Sequence, residues 1–202
     1  MKWTGLTGGI ATGKSTVKKL LEGFGIPVVD ADQISHKLTE QGAAGYNGIL
    51  SHFGNEILTA DQSLDRKKLG QIIFSDAARK SELENILHPL IQQEVQIQRE
   101  MHQHRDADIC FYDVPLLFEK NLAGNFDHTV LVWCDTKTQM DRLLNRDHLS
   151  ETEAFLRIGN QLNLVEKVKQ ADFCIDNSGS VHELETQLKK LIIKLKEAAS
   201  PN

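Results

Sequence analysis

Short apolar runs alternate along this chain with stretches in which apolar residues recur every three or four positions. Five runs read as strands, at 2–7, 26–30, 108–114, 129–135 and 172–176. Most are continuous rather than alternating, as expected of strands covered by helices on both faces. Helical patterns separate them, which predicts βαβ units and a mostly parallel sheet. Val17, Leu20, Leu21 and Phe24 place one helix after the first strand. Nearly eighty residues lie between the second and third strands, far beyond the dozen or so that a crossover needs, so an inserted helical region is expected there. Leu69, Ile72, Ile73 and Phe74 mark one amphipathic helix in it, and Leu83, Ile86 and Leu87 another, interrupted by Pro89. A further helix is expected to start at Pro89 and run toward His104. A second helical excursion, about 136–170, separates the last two strands. Ser150-Glu151-Thr152-Glu153 announces a helix there through a capping box, and Ser180-Val181-His182-Glu183 announces the last helix. The end of the chain, 198–202, reads as frayed.

Composition narrows the class. At 202 residues the chain fits one domain with appendages. A formal charge of −5 and a pI near 5.9 give no general attraction to nucleic acid or anionic membrane. No run approaches the roughly 18 apolar residues of a membrane span, and no secretory leader is visible. Cys110, Cys134 and Cys174 are far apart in apolar runs, as buried free thiols of a reducing, cytoplasmic compartment would be. Trp3 and Trp133 are expected in the core.

The chemistry begins where the first strand ends. Gly8-Gly9-Ile10-Ala11-Thr12-Gly13-Lys14-Ser15-Thr16 is Gly-x4-Gly-Lys-Ser between a strand and a helix, a phosphate loop. Gly8 and Gly13 are expected to permit backbone angles closed to other residues, so that successive N–H groups turn inward on a polyphosphate. Lys14 would reach the β- and γ-phosphates and the Ser15 hydroxyl would bind the accompanying Mg²⁺, at the positive end of the following helix.

Other positions carry two readings each. Asp30-Ala31-Asp32 follows the second strand at the carboxyl end of the sheet, where open α/β folds bind ligands. One carboxylate there is a candidate base, or a helix cap. Asp113 could hold Mg²⁺ or serve as a turn residue before Pro115. Arg142 and Arg146, four apart on one face, could close over a polyphosphate or form a solvated, salt-bridged surface, and Arg157 falls in the same excursion. Arg66-Lys67-Lys68 reads as a solvated helix start, and His88 as a residue ending a helix before Pro89.

These segments together resemble the dephospho-coenzyme A kinases. The resemblance rests on Leu6-Thr7-Gly8-Gly9-Ile10 with the phosphate loop, Asp30-Ala31-Asp32 with His36, Leu87-His88-Pro89-Leu90-Ile91, and Pro115-Leu116-Leu117-Phe118-Glu119. It continues through Arg142-Leu143-Leu144-Asn145-Arg146-Asp147, Arg157-Ile158 with Gln161, Glu166-Lys167, and Ala171-Asp172 leading to Ile175-Asp176-Asn177. It implies an α/β, P-loop kinase-like three-layer fold: a five-stranded, mostly parallel sheet with a helical acceptor-binding insertion and a lid. The core would be about 1–32, 105–136 and 170–202, the acceptor region about 33–104, and the lid about 137–169. It also implies ATP-dependent phosphorylation of the ribose 3′-hydroxyl of dephospho-coenzyme A, the last step of coenzyme A synthesis, with ATP and Mg²⁺ and without an obligate protein partner.

By the same resemblance Asp32 is the base, and Lys14 and Arg142 complete the catalytic set. Gly8, Gly9, Ala11, Thr12, Gly13, Lys14, Ser15, Thr16, Arg142, Arg146 and Asn177 bind nucleotide. Asp32, His36, His88, Pro115, Leu116 and Glu119 bind the acceptor. Ser15 takes the magnesium ion, with Asp32 or Asp113 as further ligands. Ala11-Thr12 stands where Gly-Ser is more usual, and is expected to be harmless because neither position requires a positive φ. Leu162-Asn163 departs from the usual pair after Gln161. A regulatory GTPase would need an Asn-Lys-x-Asp segment, which this sequence lacks, and Asp176-Asn177-Ser178-Gly179 lies too late to act as its switch. A shikimate-type or nucleotide kinase is the nearer rival, differing in acceptor.

Overall fold

A computed structural model describes residues 1–197, so the expectation of a frayed 198–202 falls outside the described residues. The chain divides into two compact units, 1–29 with 102–202, and 30–101. The segment expected to form the lid lies in the first of them.

Five strands form one sheet in the order β2-β3-β1-β4-β5. They are β1 (Lys2–Gly8), β2 (Val28–Asp30), β3 (Ile109–Asp113), β4 (His128–Trp133) and β5 (Phe173–Asp176). Central β1 runs parallel to β3 on one side and to β4 on the other. The loop leaving its carboxyl end therefore opens where connections diverge to the two sides of the sheet, the usual ligand crevice of open α/β folds.

Side-chain pattern explains this frame. Leu6, Ile109, Phe111, Val130, Val132 and Ile175 come from the strands and are almost fully covered. Val17 and Leu21 of α1 (Lys14–Gly23) join them, as do Leu184, Leu188, Leu191 and Leu195 of α9 (Val181–Glu197), spaced three or four apart on one helical face. Each such burial contributes about 1.5–3 kcal/mol, so the phosphate loop leaves a heavily stabilised strand and enters an anchored helix. Trp3 stacks on Tyr112 at 5.5 Å, whereas Trp133 is only half-buried. The expected last-helix cap is present: Glu183 N–H donates to Ser180 Oγ, and Ser180 N–H donates to Glu183 Oε2.

The second unit carries α2 (Ala31–Leu38), α3 (Ala44–Phe53), α4 (Arg66–Ser75) and most of α5 (Ala77–His104). Tyr46, Ile49, Phe53, Ile57, Leu64 and Leu69 make its core. Four expectations change here and at the sheet edge. One unbroken α5 replaces the two helices expected on either side of Pro89. An internal proline removes one hydrogen bond to the carbonyl four residues earlier, and here both Asn85 and Pro89 lie on the exposed side of the helix. His88 accordingly lies inside a helix rather than ending one. Phe74, expected on the apolar face of α4, is 94% exposed. Cys110 and Cys134 are buried, but Cys174 is exposed because β5 is an edge strand.

Candidate active site

The loop between β1 and α1 takes its shape from two backbone positions. Gly13 adopts φ 88° and is the residue before α1. A β-carbon there would also collide with the Asn177 amide. Gly8 differs from expectation, since it needs room rather than a left-handed angle: a β-carbon would stand 2.9 Å from the Val132 carbonyl oxygen. The second left-handed residue is Ala11, with φ 59°. This overturns the expectation that Ala11-Thr12 requires no positive φ. Thr12 N–H and Thr12 Oγ1 both donate to Gly9 O, at 3.3 and 2.9 Å, closing a four-residue turn with Ala11 at its third position. Glycine usually occupies that position, and placing a β-carbon there costs about 1–2 kcal/mol.

Helix α1 begins without a side-chain cap. By contrast α2, α4, α6 (Thr136–Asp147), α7 (Glu151–Gly159) and α8 (Leu164–Gln170) start with Asp30, Asp65, Asp135, Ser150 and Asn163 accepting from first-turn N–H groups. First-turn amides of α1 are thus open to an anion from outside the chain. Lys14 is half-buried and ion-paired with the buried Asp113 at the end of β3. Asp113 is therefore a partner of the loop lysine, beyond either role the sequence suggested for it. Ser15 is exposed, Thr16 half-buried and Thr12 buried.

Arg142 of α6 reaches this loop. Its Nη1 is buried without a hydrogen-bond partner and lies 3.5 Å from where a β-carbon on Gly13 would stand. The guanidinium also lies against Cys134, whose thiol is pushed up by burial, an effect that Arg142 partly offsets. Arg146 does not share this orientation. It is exposed and forms a two-pronged pair with Asp147 at 2.7 and 3.1 Å. Arg157 pairs with the same carboxylate at 2.9 Å, so both arginines take the salt-bridged alternative. Buried Asn177 donates through Nδ2 to Thr12 O at 2.8 Å, tying the end of β5 to the loop.

Glu119 is committed to a structural pair through one oxygen. Its Oε1 lies 2.7 Å from Nζ of the fully buried Lys167 and accepts from Leu162 N–H at 3.2 Å. Its Oε2 is buried and without a hydrogen-bond partner. Pro115 and Leu116 are half-buried nearby in the chain. In the helical unit, Asp30 caps α2 by accepting from Gln33 N–H at 2.9 Å, while Asp32 is exposed in the first turn. Asp30 therefore takes the cap, and Asp32 does not. His36 and His88 are exposed on α2 and α5.

Two contacts to the loop had no counterpart in the sequence reading. Ile10 N–H donates to Gln161 Oε1 at 2.8 Å, and Gln139 Nε2 donates to Ile10 O at 2.8 Å. The spacing of Gln139 one turn before Arg142 on α6 is the one sequence clue to its position.

A parallel sheet, a left-handed Gly13 and an uncapped α1 carrying Lys14 give the geometry of a phosphate-binding loop. The sequence matches the family model described as dephospho-CoA kinase over residues 2–183, and the chain belongs to that family of kinases. A dephospho-CoA kinase of Listeria monocytogenes is 41% identical over 191 residues, covering 95% of this chain and 96% of the relative. Among solved structures, a Thermus thermophilus protein has a TM-score of 0.77 at 33% identity, over 96% of this chain and 97% of that one. A dephospho-CoA kinase from Campylobacter jejuni has a TM-score of 0.72 at 30% identity, over 98% of each chain.

Proposed function

We propose that this kinase transfers the γ-phosphoryl group of ATP to the ribose 3′-hydroxyl of dephospho-coenzyme A, giving coenzyme A in the cytoplasm. Family membership supports the acceptor. The observation that carries the nucleotide side is the buried, unpartnered Arg142 Nη1 directed at a loop whose helix begins without a cap. A buried guanidinium nitrogen without a partner is unfavourable, and phosphate oxygens are well matched to it. No helix among the described residues is long and apolar enough to cross a membrane.

Phosphoryl transfer passes through a loose transition state, so alignment and charge neutralisation dominate the protein's contribution. In this reading the open amides of Gly13 to Ser15 hold the phosphate chain, and Lys14 moves from Asp113 to share its charge with the γ-phosphoryl oxygens. Arg142 completes that neutralisation. Gly8, Gly9, Ala11, Thr12 and Thr16 shape the loop, and Asn177 fixes its far side. Asp32 accepts a hydrogen bond from the ribose hydroxyl and takes its proton late, because a carboxylate is too weak a base to ionise an alcohol beforehand. His36, His88, Pro115, Leu116 and the free Oε2 of Glu119 are assigned to the acceptor. Arg146 is assigned to the nucleotide only through rearrangement away from Asp147.

The residues fit a magnesium ion as hard oxygen donors, few in number, as expected of an ion that keeps waters and phosphate oxygens around it. Exposed Ser15 would hold it, with Asp113 or Asp32 as a further oxygen. When bound, the ion supplies charge neutralisation across the β- and γ-phosphate oxygens.

The test is to incubate the protein with Mg-ATP and a panel of dephospho-coenzyme A, adenosine, AMP and shikimate. Phosphate transfer to dephospho-coenzyme A alone is expected. Preferential phosphorylation of shikimate or AMP would replace the acceptor assignment.

A further inference from the structure

Ile10 is a loop residue whose peptide groups are gripped from two separate helical segments. Gln139 extends from the first turn of α6 and is 3% exposed. Its amide donates to the Ile10 carbonyl at 2.8 Å. Gln161 extends from the turn between α7 and α8, and its carbonyl accepts from the Ile10 N–H at 2.8 Å. The two side chains act with opposite polarity on one residue, so each fixes a different peptide plane. Together they leave Ile10 little freedom to rotate. The next residue is Ala11, held at φ 59° where glycine would be at ease.

The arm that carries Gln161 is itself anchored. Leu162 N–H donates to Glu119 Oε1, and that carboxylate is paired with Lys167, which is fully buried. Leu164 reaches the same place, since a β-carbon on Gly9 would stand 3.0 Å from both Leu164 Cδ2 and Gln139 Nε2. The Gly9-Ile10 peptide is thus where α6 and the α7–α8 turn converge on the phosphate loop.

We propose that Gln139 and Gln161 form a latch on Ile10 that holds Ala11 in its left-handed conformation, making them positioning residues that preform the loop for ATP. This rests on the reading of that loop as the ATP site. Glycine at position 11 would adopt that angle unaided, so Ala11 raises the demand on the pair. The glutamines touch the loop backbone and act on the nucleotide through it.

The test uses the full chain with Gln139→Met and Gln161→Met, which keep side-chain volume and remove the amide, alone and combined with Ala11→Gly. Calorimetry with ATP and steady-state kinetics with both substrates are the readouts, and thermal melting without nucleotide monitors folding. Each single glutamine variant is expected to weaken ATP binding about tenfold, the scale of one lost hydrogen bond. KM for dephospho-coenzyme A and the nucleotide-free melting point should stay near the wild-type values. Adding Ala11→Gly is expected to restore at least about threefold of the lost affinity, each double variant being compared with Ala11→Gly alone. Unchanged ATP affinity in both single variants, or a loss that Ala11→Gly leaves untouched, overturns the latch. A wild-type protein that binds ATP but does not phosphorylate dephospho-coenzyme A sinks the acceptor assignment and leaves the latch comparison intact. Absence of ATP binding by wild-type protein overturns both.

Discussion

The sheet unit and the helical unit use similar apolar residues to different ends. In the sheet unit, Leu6, Val17, Phe111, Val130 and Leu188 are wholly covered, and the loop above them is tied by Gln139, Gln161 and Asn177. In the helical unit, a smaller core around Tyr46, Ile49 and Ile57 supports long exposed surfaces, and α5 contributes no buried residue over its 28 positions. Gripping a triphosphate demands fixed donors, because every misplaced dipole must be reorganised during reaction. Elements with few buried apolar contacts open at lower free energy, so the helical unit has less to hold it fixed. The sheet unit is the more tightly determined of the two.

That contrast can be broken experimentally, beginning with the largest effect. Asp32→Asn should leave ATP binding intact while transfer falls by about 10²–10⁴, the range for losing a positioned general base. Turnover and calorimetry together check this, and retained turnover would move the base elsewhere. Phe111→Ala should cost about 3–5 kcal/mol in denaturant unfolding, because its fully covered ring has no solvent to replace it. Lys14→Ala should lower turnover by about 10²–10³. Near-normal activity in that variant would remove the loop lysine from the mechanism. Phe74→Ser in the helical unit should change stability by no more than about 0.5 kcal/mol, since the ring is already 94% exposed. A large loss there would mean that the helical unit is as tightly determined as the sheet unit.

Acidification gives the smallest and most distributed effect. Hydrogen bonds from Thr138, Arg146, Ser150 and Ser180 hold Asp135, Asp147, Glu153 and Glu183 below their ordinary values of 3.8 for Asp and 4.5 for Glu. Asp108 is lowered by Lys196, and all five lie in the sheet unit. In the helical unit Asp61 is lowered by Thr59 and Ser63. A carboxyl lowered by folding contributes stability above its unfolded pKa and loses it as pH falls through the folded value. The sheet unit should therefore lose protection first in hydrogen exchange below pH of about 4. Earlier loss from the helical unit would reverse this ordering.

Strands were the most legible part of the sequence, because burial on both faces writes itself as continuous apolar runs such as Ile109-Cys110-Phe111. The phosphate loop was equally legible as a site but only partly as a geometry. Gly8 proved to need space, and the strained angle fell on Ala11, since a spacing motif does not specify which residue of a turn is left-handed. Asp30 and Asp32 could not be separated by sequence, because either acid can cap a helix and only the folded backbone shows which accepts the first-turn amide. Glutamines carry no charge and no periodic signature, so Gln161 stood out only through the family resemblance and Gln139 not at all, and their grip on Ile10 emerged only in the folded chain. Pro89 misled for the opposite reason: its local rule is strong, but it sits on an exposed position of α5, and the helix runs through it.

The central place of β1 imposes a delay during synthesis. Lys2 aligns with Ile109 and Thr4 with His128, so both neighbours of this strand are made more than a hundred residues after it. At synthesis speeds of about 5–20 residues per second, the nascent segment waits on the order of 5–20 s for its first companion. Throughout that interval the apolar strand has both edges open, and its pairing must wait for the later half of the chain.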